Sequence, residues 1–303
     1  MTHVVTLIAN PARPMPEMLA LRAASALPAA GTMMWLDPGI ALDIPFTPAG
    51  ANDNRLVAVH ARTALRAVFG EAPIDIVVQK AAGRRKRLLL ADMDSTMIGQ
   101  ECVDELADHV GQKARVAAIT ERAMRGEIAF APALRERVAL LAGLPVGVVD
   151  EVIAKRITLT PGGRTLVHTM RRNGAHTFLV SGGFTAFTAR IAALIGFDEN
   201  RGNRLIVGGD GRLTGAVAEP VLDRDAKLAT LMELRGRFGL AAEETLAVGD
   251  GANDLLMIEA AGLGVAYRAK AVVADAAAAR IDHGDLTALL YAQGYRREES
   301  VEG

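Results

Sequence analysis

Two patterns of hydrophobic and polar positions divide the chain. Up to about residue 82, short apolar strands and amphipathic helices follow one another in the order βαββαβ. The pattern predicts strands at 3–8, 32–36, 40–44 and 74–78, and helices at 16–27 and 54–69. From Leu88 onward, apolar runs alternate with amphipathic helices, which is typical of a parallel sheet. We therefore predict a small α+β domain over residues 1–82 and a larger α/β domain over residues 83–303.

Polar residues follow several of the apolar runs in the second domain. The runs lie at 88–91, 177–180, 245–248 and 263–266, and helices are predicted at 184–195, 225–238 and 253–261. Asp92 and Ser181 come directly after the first two runs, and Gly249-Asp250 follows the third. Ligands of such sheets bind beyond the carboxyl ends of the strands. We expect these side chains to converge there.

The stretch from about 100 to 160 contains no obvious strand. It predicts short helices at 102–110, 112–125, 131–141 and 146–155, and Pro161-Gly162-Gly163 marks the return to the sheet. Further along, two apolar segments at 205–207 and 213–217 flank an Asp-Gly turn. We interpret them as a hairpin without chemistry of its own.

Composition restricts the class of protein. Of 303 residues, 50% are hydrophobic, and 34 basic residues nearly balance 35 acidic ones, which argues against nucleic acid as a partner. The single cysteine, Cys102, cannot form an internal disulfide. Neither a signal peptide nor an apolar run of about 20 residues is recognisable, so no membrane partner is expected and we predict a cytoplasmic protein. The basic cluster at 84–87 is interpreted as a solvated linker or strand entry, and the tail after Tyr295 as disordered.

Four short motifs carry the candidate chemistry. The stretch DMDSTMIGQE, 92–101, places Asp92 and Asp94 two residues apart, so both point the same way if strand geometry persists. Side by side, the two carboxylates repel each other and require a cation or a shared proton. The other motifs are SGG at 181–183, Lys227 in DRDAKL, and GDGAND at 249–254.

The order of these motifs resembles that of the haloacid-dehalogenase-like phosphatases. The resemblance implies a Rossmann-like parallel-sheet core, with the residues between about 100 and 160 inserted as a helical cap over the active site. Asp92 would attack phosphorus and form an aspartyl phosphate, and Asp94 would act as general acid and then as general base. Mg²⁺ would be held by Asp92, the backbone carbonyl of Asp94, and Asp250.

The remaining motif residues would bind the phosphoryl group. Ser181 would donate its hydroxyl and Gly182 its backbone N–H, Lys227 would supply a fixed positive charge, and Asn253 a further hydrogen bond. Asp254 would orient Lys227 or hold a metal-bound water. Three of these residues have a structural alternative. Ser181 could cap the following helix, Lys227 could be a solvated helix lysine, and Asp254 could be an acid favoured by the helix dipole.

Specificity is suggested by Glu101 together with Arg137. Arg137 lies in GEIAFAPALRERV, 126–138, which resembles the cap stretch of phosphoserine phosphatases. There the glutamate takes the substrate ammonium and the arginine its carboxylate, as a zwitterionic amino acid requires. Phe130 would close over the substrate methylene, and Met97 would form an apolar wall beside the leaving group. The resemblance therefore implies Mg²⁺-dependent hydrolysis of O-phospho-L-serine, the last step of serine synthesis.

The N-terminal pattern resembles the ferredoxin-like architecture of ACT-type modules. Such a module implies a possible homodimer through this domain and a possible amino-acid effector, although a packing role without a ligand is an alternative. Two other functions remain open. Transfer of the phosphoryl group to another alcohol would make the protein a transferase, and a vestigial core would make it a sensor. Intact Asp92, Asp94, Lys227 and Asp250 argue against the sensor.

Overall fold

The structure is a computed structural model that describes residues 1–50, 53–124 and 127–302. Arg125, which ends one predicted cap helix, and Gly126, which begins the quoted cap segment, lie outside the described residues. Among the described helices, none is long and apolar enough to cross a membrane.

The N-terminal part is an antiparallel four-stranded sheet with two helices. Its elements are β1 (His3–Ala9), α1 (Glu17–Ser25), β2 (Met34–Asp37), β3 (Ala41–Phe46), α2 (Asn54–Phe69) and β4 (Ile74–Lys80). The strand order is β2-β3-β1-β4, so the predicted βαββαβ order folds as a ferredoxin-like sheet. Alternate residues such as Val5, Leu7 and Ile76 pack against the helices in a separate core.

The second sheet is the predicted parallel one. The strands of the second part are β5 (Leu88–Ala91), β6 (His176–Phe184), β7 (Glu199–Asn203), β8 (Leu205–Val207), β9 (Leu213–Val217), β10 (Thr245–Gly249), β11 (Leu263–Tyr267) and β12 (Ala279–Ile281). Six of them form a parallel sheet in the order β12-β11-β10-β5-β6-β7. The sequence pattern missed β7, whose residues ENRGN are polar, and β12, which has only three residues.

Helices cover the sheet and form the insertion after β5. The insertion carries α3 (Cys102–His109), α4 (Lys113–Met124), α5 (Phe130–Ala139) and α6 (Val148–Lys155), as predicted within a few residues. The helices that follow are α7 (Gly163–Arg172), α8 (Thr185–Ile195), α9 (Arg224–Phe238), α10 (Leu255–Ala260), α11 (Ala271–Ala276) and α12 (Ala288–Ala292).

The hairpin of β8 and β9 is joined to the inserted helices. The backbone N–H of Gly143 donates to the carbonyl of Leu213, the N–H of Leu213 donates to Leu144, and the N–H of Val146 donates to Gly211. The exposed pair Arg135–Glu219 adds a contact at 2.5 Å. Hairpin and cap helices are therefore hydrogen-bonded to each other.

Polar residues on the open face of the N-terminal sheet bind the parallel-sheet part. The guanidinium of Arg84 lies 2.6 Å from Asp43 Oδ2 and also donates to Thr6 Oγ1. Asp75 accepts hydrogen bonds from the three successive backbone N–H groups of residues 282–284. The prediction of a solvated basic cluster is thus wrong for Arg84 and for the buried Lys86, because both bind groups of the protein.

The tail is also folded, contrary to the prediction of disorder. Residues 297–299 form a short 3₁₀ turn. Glu299 pairs with Arg85 at 2.5 Å, and the N–H of Val301 donates to Thr169 Oγ1. Arg297 and Glu299 of the tail thus pair with charged residues of the fold, Asp37 and Arg85, which composition alone does not reveal.

Candidate active site

Three adjacent strands position the candidate residues. β5 lies in the sheet between β10 and β6. Asp92 follows β5, Asp250 follows β10, and Ser181 lies in the last part of β6. Since the strands are parallel, their carboxyl ends meet at one edge of the sheet. The structure therefore brings these three residues together.

The chain leaves β5 in a turn over Met93–Met97, in which the N–H of Ile98 donates to the carbonyl of Met93 and Asp94 has an extended backbone. The N–H of Asp92 still donates to the carbonyl of Val248 in β10, but Ser95 takes a left-handed conformation with φ +55°. Asp94 Oδ1 accepts a hydrogen bond from the N–H of Cys102, at the start of the first cap helix. The two acids of the motif are thus held by different elements, Asp92 by the sheet and Asp94 by the insertion.

Lys227 joins two of the acids. It is fully buried, and its Nζ donates to Asp92 Oδ1 and to Asp254 Oδ1, the latter at 2.5 Å. Although burial opposes its charged form, Asp254 and Asp92 hold the pKa of Lys227 above its usual value. The alternative of a solvated helix lysine is therefore wrong.

Asp254 shapes the loop after β10. Its Oδ2 accepts hydrogen bonds from the N–H groups of Asp250 and Gly251. Gly249 leaves room for this carboxyl group, because a Cβ on Gly249 would lie 2.4 Å from Asp254 Cγ. Asp254 therefore fixes both the loop and Lys227.

The site holds more negative than positive charge. Burial, followed by the charge of Asp254, raises the pKa of Asp92 well above its usual range, against the effect of Lys227. Burial and Asp254 likewise raise the pKa of Asp250 to about 6. Burial and the charge of Glu101 raise the pKa of Asp94 to about 7. The carboxylates of Asp92, Asp94, Asp250 and Asp254 around the ammonium group of Lys227 favour a bound cation.

The acids also have a suitable arrangement for a cation. One carboxylate oxygen each from Asp92, Asp250 and Asp254 lie within 4.8 Å of one another. Oxygen ligands of this kind suit a hard divalent ion. The carboxylate of Asp254 was not among the predicted metal ligands, and it is already bonded to Lys227.

Ser181, Gly182 and Gly183 form a loop beside Asp94. Ser181 Oγ accepts a hydrogen bond from the N–H of Gly183 at 2.9 Å, whereas α8 begins only at Thr185. A Cβ on Gly183 would lie 2.8 Å from Asp94 Oδ2, so only glycine leaves space for this carboxylate. Gly183 was not among the predicted site residues, although it belongs to the SGG motif.

The cap presents Phe130 and Asn253 lies opposite, both near Gly182. A Cβ on Gly182 would lie 3.0 Å from Phe130 Cζ and 3.9 Å from Asn253 Nδ2. Met97 is fully buried, and a Cβ on Gly163 at the start of α7 would lie 3.1 Å from its Cε. Phe130 therefore lies directly over the glycine loop, while Met97 packs where the cap rejoins the sheet.

Glu101 and Arg137 bring opposite charges to the cap side. Glu101 Oε1 accepts a hydrogen bond from Ser95 Oγ at 2.8 Å. Burial lowers the pKa of Arg137, and the nearby charges of Glu101 and Asp104 oppose this effect. The charges of Glu101 and Asp94 also interact. These effects link the cap pair to the acidic site.

A parallel sheet that gathers carboxylates, a buried lysine and a glycine loop at one edge, beneath a helical insertion, defines an α/β enzyme with a cap. The family model of haloacid dehalogenase-like hydrolases matches residues 89–259, and the chain belongs to this family.

Curated relatives are phosphoserine phosphatases. The chain is 47% identical over 209 residues to the phosphoserine phosphatase of Polaromonas sp., which covers 67% of this chain and 88% of that protein. It is 43% identical over 238 residues to phosphoserine phosphatase SerB2 of Mycobacterium tuberculosis, covering 78% of this chain. The match spans only 58% of the length of the mycobacterial protein.

One solved structure resembles almost the whole chain. It is a HAD family hydrolase from Salmonella enterica serovar Typhi, with a TM-score of 0.83 and 29% sequence identity. The alignment covers 96% of this chain and 98% of that one, so the likeness includes the N-terminal sheet.

Proposed function

We propose that the protein is a phosphoserine phosphatase, which hydrolyses O-phospho-L-serine to L-serine and phosphate as the last step of serine biosynthesis. The observation that carries this proposal is the pairing of buried Lys227 with Asp92 beside a cap that carries Glu101 and Arg137. The names of the relatives from Polaromonas and Mycobacterium tuberculosis support the same substrate.

Asp92 is the proposed nucleophile. Its carboxylate attacks phosphorus, the bond to the serine oxygen breaks, and an aspartyl phosphate forms. Asp94 donates a proton to the leaving serine oxygen and then takes one from the attacking water. A pKa near 7 supports this role, because Asp94 can then hold a proton close to neutral pH.

Mg²⁺ is the proposed cofactor, and the donor set fits it. Asp92, Asp250 and the backbone carbonyl of Asp94 would hold the ion, since Mg²⁺ prefers such oxygen ligands. The raised pKa values of Asp92 and Asp250 support a cation here, because burial and then the acidic neighbours destabilise each carboxylate. When bound, Mg²⁺ would supply positive charge that offsets the repulsion between the acids and the phosphate.

The phosphoryl oxygens are bound by Ser181, Gly182, Lys227 and Asn253. Ser181 Oγ already accepts a hydrogen bond from Gly183, so its own proton is free to be donated. Lys227 stabilises the charge that develops on the phosphoryl group, and Asp254 keeps its ammonium group in place.

Substrate selection rests on the two charges of the cap side. Glu101 binds the ammonium group of phosphoserine and Arg137 binds its carboxylate. Phe130 covers the methylene, and its contact with Gly182 supports this assignment. Met97 is proposed as an apolar wall beside the leaving group. Because its side chain is fully buried, packing within the core is its alternative role.

Phosphate release in the presence of Mg²⁺ tests the function. O-phospho-L-serine, O-phospho-L-threonine and a sugar phosphate are compared, and we expect a strong preference for phosphoserine. Arg137→Lys should lower kcat/KM for phosphoserine at least tenfold, about 1.4 kcal/mol, because lysine cannot bind a carboxylate through two N–H groups. Arg135→Lys on the same helix is the control, since Arg135 pairs with exposed Glu219.

The outcomes separate the alternatives. Equal turnover of the three substrates would retain a phosphatase and refute the specificity. Formation of a phosphorylated alcohol instead of free phosphate would indicate a transferase. No turnover of any substrate with Mg²⁺ present would contradict the proposed function.

The division into residues 1–82 and 83–303, with a cap at about 100–160, is part of this proposal and is supported by helices α3–α6.

A homodimer through the N-terminal domain and a cytoplasmic location remain predictions. A cavity of about 240 Å³ between the segment after α1, the end of β3 and α2 is lined by apolar side chains and His60. Because an amino acid carries two opposite charges, this lining does not favour an amino-acid effector at that position.

A further inference from the structure

The glycine loop of the site interrupts a β-ladder. In the pairing of β6 with β7, Val180 lies opposite Arg201 and Phe184 lies opposite Asn203. Thus β6 advances from residue 180 to 184 while β7 advances only from 201 to 203. Residues 181–183 therefore bulge out of the ladder, and their backbone groups need partners other than the backbone of β7.

The side chain of Asn203 supplies such a partner. It is 2% exposed, and its Nδ2 donates to the carbonyl of Gly182 at 2.8 Å. The same Nδ2 donates to the carbonyl of Leu222 at 3.2 Å, and Oδ1 accepts from the N–H of Leu222 at 2.7 Å. Asn203 therefore ties the bulge to the segment that returns from the β8–β9 hairpin.

The peptide group between Gly182 and Gly183 is held on both sides. Asn203 binds its carbonyl, and Ser181 Oγ accepts from its N–H at 2.9 Å. If the carbonyl were released, this peptide group could rotate and Ser181 Oγ would lose its donor. The orientation of the Ser181 hydroxyl thus depends on Asn203, although Asn203 itself does not line the acidic cluster.

We propose that Asn203 is a positioning residue for phosphate binding, which acts through the Gly182–Gly183 peptide group on Ser181. This inference rests on the proposed function, in which Ser181 and Gly182 bind the phosphoryl group. Asn203 sets the direction of one phosphate donor, the Ser181 hydroxyl, before the substrate arrives. Preorganised donors of this kind lower the barrier because they need no reorientation during the reaction.

Asn203→Asp tests the proposal, because aspartate keeps the acceptor for Leu222 N–H and loses both donors. We expect kcat for phosphoserine to fall about tenfold to a hundredfold, as a misplaced binding group typically costs. The affinity for inorganic phosphate, measured by calorimetry with Mg²⁺, should fall in parallel. Asn200→Asp on the same strand is the control, because Asn200 only accepts a hydrogen bond there, from Thr188 Oγ1. It should retain wild-type kcat and phosphate affinity.

A double-mutant cycle distinguishes positioning from a general structural effect. If Asn203 acts through Ser181, Ser181→Ala combined with Asn203→Asp should lose no more kcat than Ser181→Ala alone. Fully additive losses, or unchanged kcat and phosphate affinity in folded Asn203→Asp, would overturn the proposal. Should Asn203→Asp not fold, Asn203→Ser, which brings no buried charge, is carried through the same cycle.

The measurements also separate this proposal from the proposed function. Turnover of phosphoserine by the wild-type protein tests the function alone. Binding of inorganic phosphate tests Asn203 whether or not phosphoserine is the substrate, since it needs only the phosphate donors.

Discussion

Lys227 is the residue on which the charge balance of the site depends. Lys227→Met removes the ammonium group from between Asp92 and Asp254 without leaving a large cavity. We expect kcat to fall by about 10²–10³, as for the loss of one preorganised electrostatic donor. Without metal, the free energy of unfolding should fall by about 3–5 kcal/mol, because two buried carboxylates lose their partner.

Steady-state kinetics and urea unfolding measure the two effects. Lys155→Met is the control: its ion pair with Glu151 is exposed, so its loss should change stability little and leave kcat unchanged. Similar losses for both variants would show that the buried contacts of Lys227 with Asp92 and Asp254 stabilise the protein no more than an exposed ion pair.

Asp250 makes metal affinity depend on pH. Burial and the charge of Asp254 raise its pKa to about 6 in the metal-free protein. Below that pH the carboxylate of Asp250 carries a proton that Mg²⁺ must displace, whereas above it this carboxylate is ionised. Affinity for Mg²⁺ should therefore weaken as the pH falls, by up to about tenfold per pH unit for each proton displaced.

Calorimetric titration with Mg²⁺ at about pH 7.5 and about pH 5.5 measures this dependence through the change in affinity and the protons released. Asp250→Asn should bind Mg²⁺ more weakly at both pH values and lose part of the pH dependence. Equal affinity of the wild-type protein at the two pH values would contradict a role for Asp250 as ligand.

The residues that sequence could predict are those next to apolar strands. Asp92, Asp250 and Ser181 follow buried runs, and parallel pairing brings such positions together. Gly183 and Asn203 could not be assigned in this way. Gly183 matters through the carboxyl group of a distant loop, and Asn203 lies in a polar edge strand that has no hydropathy signal.

At the scale of elements, the return from the cap is a tight connection. Gly162 has φ +78°, and a Cβ there would lie 2.6 Å from the backbone nitrogen of Thr287. Gly162→Ala should therefore destabilise the protein through both the left-handed conformation and this clash. The left-handed conformation alone costs about 1–2 kcal/mol. The clash should add about 1–3 kcal/mol to this cost.

Gly174→Ala isolates the conformational part of this effect. Gly174 has φ +81°, and within the described residues a Cβ there would lie more than 4 Å from every atom beyond the two neighbouring residues in the chain. Chemical unfolding of the two variants should show a clearly larger loss for Gly162→Ala. Equal losses would mean that the segment at 285–287 can move aside freely.

For the whole molecule, the pattern of apolar strands predicts both sheets but not how they join. The two sheets are joined by individual polar side chains, among them Asp43, Asp75 and Arg84. From the sequence alone, charged residues of this kind would be expected to face solvent. Tyr291 Oη adds a hydrogen bond to Asp37 Oδ2 at 2.8 Å. No local periodicity marks such contacts, because each partner lies far away in the chain.

Arg84 connects several groups across this join. It binds Asp43 and Thr6 of the N-terminal sheet. It also donates to the carbonyls of Tyr291 and Ala292 in the second part of the chain. Arg84→Met leaves the buried carboxylate of Asp43 without its cation. We expect a loss of about 3–5 kcal/mol and, because the two sheets have partly separate cores, unfolding in two thermal transitions instead of one. Arg87→Met in the same basic cluster is the control, since its pair with Glu244 is exposed. Calorimetry of both variants decides the matter: a single transition in Arg84→Met at the wild-type temperature would show that the remaining contacts, among them those of Asp75 and Tyr291, hold the sheets together without Arg84.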